Sequence, residues 1–227
     1  MSNTNKTHEK DILLNLLKFW ENNKKRILTI TGGVAAVIVA LYAYNEYMVK
    51  PKEQKAQEAL YKAEDYFGQD SSRKVLDGDG TSKGVLYVIK NYSGTKAANL
   101  AKYYAGISYL KLGEFNKAVE NLKDFSSNSD AIQMVAYGAL ADAYSELKKN
   151  DEAVSYYKKA AAAFTVDQLT SADYLWRAGQ LLETLNKPKE ALELYKQIKK
   201  DFPKAKQGEI DKYIYKLSIE KNEFSVK

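Results

Sequence analysis

The stretch AGQLLETLNKPKEALELYKQIKKDFP, from Ala178 to Pro203, decides the fold of this 227-residue chain. Its small pair Ala178-Gly179 allows the two helices of a hairpin to approach closely, because neither residue carries a long side chain. Ala191 leaves room for the second helix to nest against the first, and Leu182 is placed to fill the space between successive hairpins. The stretch therefore predicts a pair of packed helices.

The same pattern occurs three times beyond residue 98, with a period of about 35 residues. Gly106 and Ala141 are 35 residues apart, Ala141 and Gly179 are 38 apart, and the three extra residues fall between Thr165 and Thr170. One such unit cannot bury its apolar face alone, so we predict three stacked repeats over residues 98–203. The matching positions are Ala105-Gly106, Tyr109, Leu112 to Ala118, Leu122 and Phe125; Leu140-Ala141, Tyr144, Asp151 to Ala153, Tyr157 and Ala160; and Ala178-Gly179, Leu182, Asn186, Lys189 to Ala191, Tyr195, Ile198 and Pro203.

This pattern resembles the tetratricopeptide repeat, and three copies in register make the resemblance a strong one. It implies an all-α fold in which helical hairpins stack as an α-solenoid, with caps at both ends. Within residues 51–97 we expect an N-terminal capping hairpin, formed by residues 52–67 and 84–91 and joined by a loop. Within residues 204–227 we expect a C-terminal capping helix from Glu209 to Leu217, followed by a tail.

By this resemblance the first helix of each repeat lines a concave face, which binds extended peptides or partner helices. Gly138 would leave a shallow notch between the rings of Tyr103 and Trp176. The alternative is that these residues pack between helices, since a register error of one residue would turn them into core. The lysine and asparagine set that holds a C-terminal carboxylate in chaperone-binding relatives is missing, and the acidic residues of the face would repel such a ligand. The residues expected on the concave face are Leu100, Tyr103, Ile107, Leu110, Val135, Gly138, Asp142, Ser145, Asp173, Trp176, Gln180 and Glu183.

A second stretch, ILTITGGVAAVIVALYAYNEYM from Ile27 to Met48, has the composition of a transmembrane helix. At about 1.5 Å of rise per residue, it covers roughly the 30 Å of a bilayer's hydrocarbon layer. A core helix would keep a polar stripe, and a cleaved signal peptide would need a small residue where Leu41 stands. We expect an uncleaved single-pass anchor over residues 27–48, with a cleaved signal or a soluble helix as the alternatives. The expected fold class is all-α, a single N-terminal transmembrane helix followed by the tetratricopeptide solenoid.

Cationic residues flank the N-terminal end of this stretch, where Lys18 and the triplet Lys24 to Arg26 stand. Four cations against three on the far side favour a cytoplasmic tail over residues 1–26 and a periplasmic domain at a bacterial inner membrane. Residues 9–20 form an amphipathic helix pattern, which is expected either to lie among lipid headgroups or to dock on a partner protein. The span also contains a row of small residues, Gly32, Ala36 and Ala40. This row either permits contact with another membrane helix or arises by chance.

The composition narrows the classes of function. The chain has no cysteine, and its one histidine, His8, lies in a polar segment over residues 1–8 that is expected to be disordered. No nucleophile–histidine–acid set and no Gly-rich phosphate loop can be built, so we expect no enzyme, cofactor or small-molecule substrate. The net charge of +6 comes from lysines that alternate with glutamates, which argues against nucleic acid. The acidic turn from Asp77 to Gly80 lacks the later glycine and glutamate of a calcium loop, so no metal is expected.

The layout of tail, single span and repeat domain resembles that of the YfgM-like ancillary subunits of the bacterial Sec translocon. The resemblance covers roughly residues 10–217, and its motifs are those of tetratricopeptide repeats in general. It implies that the protein contacts the SecYEG channel, a periplasmic chaperone or unfolded, newly exported polypeptides. Two alternatives remain, an inner-membrane scaffold that assembles envelope complexes through folded partners and a receptor of reversed topology that faces the cytosol.

Overall fold

The structure is a computed structural model that describes the backbone of residues 3–205 and 208–220 and the side chains of residues 12–205 and 208–219. The described residues form helices, with no β-strand beyond an isolated bridge between Gly78 and Lys83. The predicted all-α fold class is therefore confirmed. The chain divides into two compact units, Met1–Lys52 and Glu53–Lys227.

The first unit consists of helix α1 (Asn3–Tyr44), a π-helical turn (Asn45–Val49) and the first residues of helix α2 (Lys50–Gly68). The Lys50 N–H donates to the carbonyl of Asn45, a bond that spans five residues instead of four. This turn lies directly before Pro51, which has no N–H and whose ring clashes with the carbonyl one turn earlier. Pro51 stands in the first turn of α2, and the preceding π-helical turn accommodates it.

Most apolar side chains of α1 are exposed, in the predicted span and in the segment before it. Among the described residues, one helix, Ile12–Gly68, is long and apolar enough to cross a membrane by length and composition. Because α1 begins at Asn3, the N-terminal segment that was expected to be disordered is helical from that residue onward. The amphipathic segment 9–20 is part of the same helix as the apolar stretch and does not form a helix of its own.

The second unit begins with α2, α3 (Ser72–Asp77) and α4 (Val85–Asn91). Helix α3 lies in the connection that was expected to be a loop, and its Val75 and Leu76 are buried. The connection ends in the predicted acidic turn, where the Asp79 carboxylate accepts bonds from the Thr81 N–H (2.9 Å) and the Ser82 N–H (2.6 Å). These three helices share one core with α5, built from Ala56, Leu60, Ala63, Val75, Leu76, Val85, Val88, Ala97, Ala98, Ala101, Ala105 and Tyr109, together with Ala118 and Ala143.

The repeats form three helical hairpins that pack in chain order. They are α5 (Lys96–Lys111) with α6 (Phe115–Lys123), α7 (Asp130–Glu146) with α8 (Asn150–Ala163), and α9 (Gln168–Thr184) with α10 (Pro188–Asp201). Helix α11 (Glu209–Glu220) packs against α10 and buries Ile210 and Leu217.

Close contacts inside the hairpins explain the small residues of the repeat pattern. A Cβ added to Gly179 would lie 2.5 Å from Cε1 of Tyr195, and one added to Gly106 would lie 2.4 Å from Cγ of Leu122. These distances are far below van der Waals contact, so only glycine fits at either position. On the second helices the matching alanines are fully buried, and they are Ala118, Ala153 and Ala191.

Helix α5 is capped by two side chains. The Thr95 hydroxyl accepts a bond from the Ala98 N–H at 3.0 Å, as an N-cap residue does. The Glu53 carboxylate of α2 accepts bonds from the Lys96 N–H (2.7 Å) and the Ala97 N–H (2.9 Å). An acceptor that is 43 residues away in sequence therefore satisfies the open donors at the start of the first repeat and ties α2 to it.

Candidate protein-interaction surface

The predicted concave-face residues all lie on the first helices of the hairpins, α5, α7 and α9. We call this set of twelve residues the inner face. Most of these residues are partly buried, so the inner face is neither fully exposed nor part of the buried core. Val135 is the most exposed apolar residue of the inner face, with 39% of its surface accessible.

The α5 part of the inner face is apolar. Leu100, Ile107 and Leu110 are each partly exposed and pack with one side against the core. The ring of Tyr103 lies 5.2 Å from that of Phe125 and 6.3 Å from that of Phe67, measured between centroids. Burial in this aromatic cluster raises the pKa of the Tyr103 hydroxyl. Tyr103 is thus held in place by rings from α2 and from the α6–α7 connection.

The notch expected at Gly138 is closed, so this expectation was wrong. A Cβ added to Gly138 would lie 2.3 Å from Cζ of Tyr174, because the tyrosine of α9 reaches across to α7. Gly138 itself is buried. Gly138 allows α7 and α9 to pack closely, and no space for a ligand remains beside it.

Asp142 on α7 belongs to an ionic network that includes side chains of α8 and α9. The hydroxyl of Tyr157 on α8 donates to Asp142 Oδ1 at 2.5 Å, and Arg177 Nη1 on α9 lies 3.3 Å from the same oxygen. Arg177 Nε also donates to Asp173 at 2.8 Å. Burial and the bond to Asp142 raise the pKa of Tyr157 far above its usual value. The two carboxylates thereby share one guanidinium, and Asp142 has the Tyr157 hydroxyl as a second partner.

Glu183 on α9 has a similar arrangement. The hydroxyl of Tyr195 on α10 donates to Glu183 Oε1 at 2.6 Å, and Lys216 of α11 lies 3.0 Å from Oε2. Burial, followed by the bond to Glu183, raises the pKa of Tyr195. In the first repeat, Leu122 occupies the position that is equivalent to Tyr157 and Tyr195. No carboxylate lies opposite Leu122. Tyrosine and carboxylate therefore occur together in the second and third repeats.

The C-terminal cap contacts the last part of the inner face. The ring of Trp176 lies 6.2 Å from that of Tyr213 on α11 in an edge-to-face arrangement. Gln180 and Ser145 are partly buried. Sequence reasoning missed the roles of Tyr174, Arg177 and Lys216, because each acts between repeats and not within one.

Cavities also lie on the second helices. One of about 590 Å³ is lined by residues of α8, α9 and α10, among them Ala161, Leu175 and Phe202. A smaller one of about 480 Å³ lies between α8 and α10 beside Leu182. The described residues contain no group of three or more His, Cys, Asp and Glu side chains that could hold a metal ion.

Two family models described as tetratricopeptide repeat match this chain, over residues 100–129 and 132–200. The matched ranges coincide with the hairpins α5–α6, α7–α8 and α9–α10, apart from the first turn of α5 and the outermost residues of α7 and α10. Comparison with curated proteins gives no match. The hairpins are therefore tetratricopeptide repeats, which imply a protein–protein interaction role and are in general non-enzymatic scaffolds.

Proposed function

We propose that this protein is a membrane-anchored interaction subunit that binds polypeptides on its inner face. The observation that carries the proposal is the partly exposed apolar row of α5, Leu100, Ile107 and Leu110, which continues to Val135 on α7. Side chains of this kind give broad, weak contact with extended or helical segments, because burial of apolar surface needs no fixed motif. In this proposal the exposed side of this row binds a partner, and the buried side packs against the core.

We further propose that residues 27–48 cross the bacterial inner membrane once, with the N-terminus in the cytoplasm and the repeats in the periplasm. The long apolar helix and its exposed side chains support the span. The triplet Lys24 to Arg26 supports the orientation, because cations accumulate on the cytoplasmic side of a span. Gly32, Ala36 and Ala40 would then face lipid or a second membrane helix; a Cβ added to Gly32 would meet nothing within 4 Å.

For the partner, we propose the Sec translocon: the protein would stand beside SecYEG and contact translocating or newly exported polypeptides, with or without a periplasmic chaperone. The resemblance of layout to the YfgM-like subunits supports this assignment. The second candidate is a scaffold that gathers folded envelope proteins. It is favoured by the ionic networks around Asp142 and Glu183, because a surface fixed in advance suits a folded partner.

Site-specific photo-crosslinking from Tyr103 and Trp176 in living cells distinguishes the two candidates. A range of adducts that includes nascent chains supports the translocon function, whereas one discrete folded partner supports the scaffold. If neither position gives adducts with another protein, the proposal that this face binds polypeptides is wrong. Protease treatment of intact and lysed spheroplasts tests the orientation, since a periplasmic domain is digested in both and a cytosolic one only after lysis.

A further inference from the structure

We propose that the ligand of the inner face is an apolar, uncharged polypeptide segment, and that the α5–α7 part of the face binds it. The inference rests on the proposed function, because it names the class of polypeptide that the same surface takes. It is carried by the uneven distribution of charge along the inner face: the α5 positions and Val135 carry no charge, and the carboxylates of α7 and α9 already have partners within the protein.

The four α5 positions of the inner face are Leu100, Tyr103, Ile107 and Leu110, and none is ionised at neutral pH. Three aliphatic side chains there remain partly in contact with water, and Val135 on the neighbouring α7 is 39% exposed. A partner gains most at such a surface by covering it with apolar side chains, because the driving force follows the apolar area that is removed from water. A charged side chain placed there would lose hydration and find no counter-charge among these residues.

The carboxylates of the inner face are Asp142, Asp173 and Glu183, which from sequence alone suggest an acidic groove for a basic peptide. In the structure Asp142 and Glu183 have cationic and hydroxyl donors from neighbouring helices, and Asp173 has Arg177 of its own helix. Arg177 contacts both aspartates, at 3.3 and 2.8 Å. Glu183, whose side chain is only 19% exposed, contacts Lys216 at 3.0 Å and accepts the Tyr195 hydroxyl. Because these carboxylates already have donors within the protein, they attract a basic segment less than unpaired carboxylates would.

The cations that pair with these carboxylates are for the same reason less able to bind a charged ligand. Arg177 of α9 contacts two carboxylates of the inner face, Asp142 and Asp173. A ligand carboxylate would therefore meet a guanidinium whose charge is compensated. Since these charged groups already have partners within the protein, we take the apolar surface of α5 and α7 as the part that selects a partner.

Fluorescence anisotropy with three matched peptides tests this inference on the full chain in lipid nanodiscs, with empty nanodiscs as background. The first probe is a fluorescein-labelled 12-residue peptide of alternating leucine and serine, and in the other two lysine or glutamate replaces every leucine. We expect the apolar peptide to bind about tenfold more tightly than either charged one. Equal affinities, or a preference for the lysine peptide, would overturn the inference.

Two variants with the same substitution locate the site. Val135→Asp puts a charge into the apolar part of the inner face and is expected to weaken binding of the apolar peptide about fivefold or more. Val166→Asp, at an 81% exposed position in the α8–α9 connection, is the matched control and should leave the affinity unchanged. Equal losses in both variants would show that the peptide binds elsewhere.

The outcomes separate this inference from the proposed function. If the lysine peptide binds best and Val135→Asp strengthens it, the inner face binds polypeptides of another class, and only the ligand class is wrong. If no peptide binds and the photo-crosslinkers at Tyr103 and Trp176 give no adduct, both proposals are wrong. If peptides fail to bind and Val135→Asp instead converts a self-associated protein into monomers, a second copy covers the face and the inference is overturned.

Discussion

The hydroxyl of Tyr157 donates a hydrogen bond of 2.5 Å to the carboxylate of Asp142, which joins the second helix of the middle repeat to its first helix. The bond is shielded, because only 6% of the Tyr157 surface is accessible. Asp142 also faces Arg177 of the next repeat. One carboxylate therefore links a contact within a repeat to a contact between repeats, so the inner face is fixed by the same groups that stabilise the stack.

Replacing Tyr157 by phenylalanine should destabilise the repeat domain, because it leaves the Asp142 carboxylate without its best-shielded donor. A hydrogen bond to a charged group contributes about 1.5–3 kcal/mol, and since Asp142 keeps Arg177 we expect a loss of about 1–2 kcal/mol. Urea unfolding of the full chain in detergent micelles, followed by circular dichroism, measures it. Tyr61→Phe, at a 65% exposed position, is the control and should change little. A Tyr157→Phe variant as stable as the parent would show that this bond is not a stabilising contact.

Replacing Ala153 by leucine should overpack the second hairpin. Ala153 is completely buried on α8, where the second helix nests against the first. Extra methylene groups in a well-packed core cost about 1–3 kcal/mol, which for a domain of this size lowers the melting temperature by roughly 2–4 °C per kcal/mol. Ala162→Leu on the exposed side of the same helix is the matched control. An unchanged melting temperature for Ala153→Leu would mean that the repeat register is wrong.

Replacing Glu53 by alanine should loosen the start of α5, since two backbone donors lose their acceptor. The loss of such a cap costs about 0.5–2 kcal/mol. Hydrogen exchange resolved to the first turn of α5 should become faster at Lys96 and Ala97, and Thr95 should keep the Ala98 N–H protected. Glu58→Ala on the same helix is the control, because the Glu58 side chain contacts Gln54 of its own helix. Unchanged exchange at the two amides would contradict the capping role.

The raised pKa values of Tyr157 and Tyr195 predict a stability loss in alkali. In the unfolded chain these phenols ionise near their usual pKa of 10.0, whereas in the folded protein burial and the carboxylate partners keep them protonated. The folded state then binds more protons than the unfolded state above about pH 10, so the free energy of unfolding falls as the pH rises further and is unaffected below. Urea unfolding between about pH 8 and 11 should show this slope, with a shallower one in a Tyr157→Phe, Tyr195→Phe double variant. Parallel curves for parent and double variant would refute it.

Features that repeat along the chain could be predicted from the sequence. Gly106, Gly179 and the buried alanines recur at fixed offsets, because each hairpin must solve the same packing problem. The capping helix α11 could be predicted as well, since its apolar residues keep helical spacing. The apolar character of the α5 row follows from residue type alone.

Contacts between repeats could not be predicted in this way. Tyr174 fills the space at Gly138, and Arg177 reaches Asp142, but neither residue has an equivalent in the other copies that would signal its role. Helix α3 has six residues and two buried apolar side chains, which is too short for a helical period to appear. The sequence thus indicates which residues of the first helices lie on the inner face. Whether that face is exposed or covered depends on side chains from neighbouring helices.

The natural absence of cysteine allows the most direct test of the central claim, that other polypeptides cover the inner face of a membrane-anchored repeat domain. Single variants Val135→Cys and Val166→Cys can be labelled with a maleimide, once in native membranes and once in the purified protein free of partners. The account predicts that labelling of Val135→Cys is markedly slower in native membranes than in the purified protein, while the rate for Val166→Cys is the same in both. If the two positions keep the same ratio of rates in both preparations, nothing covers the inner face and the account is contradicted.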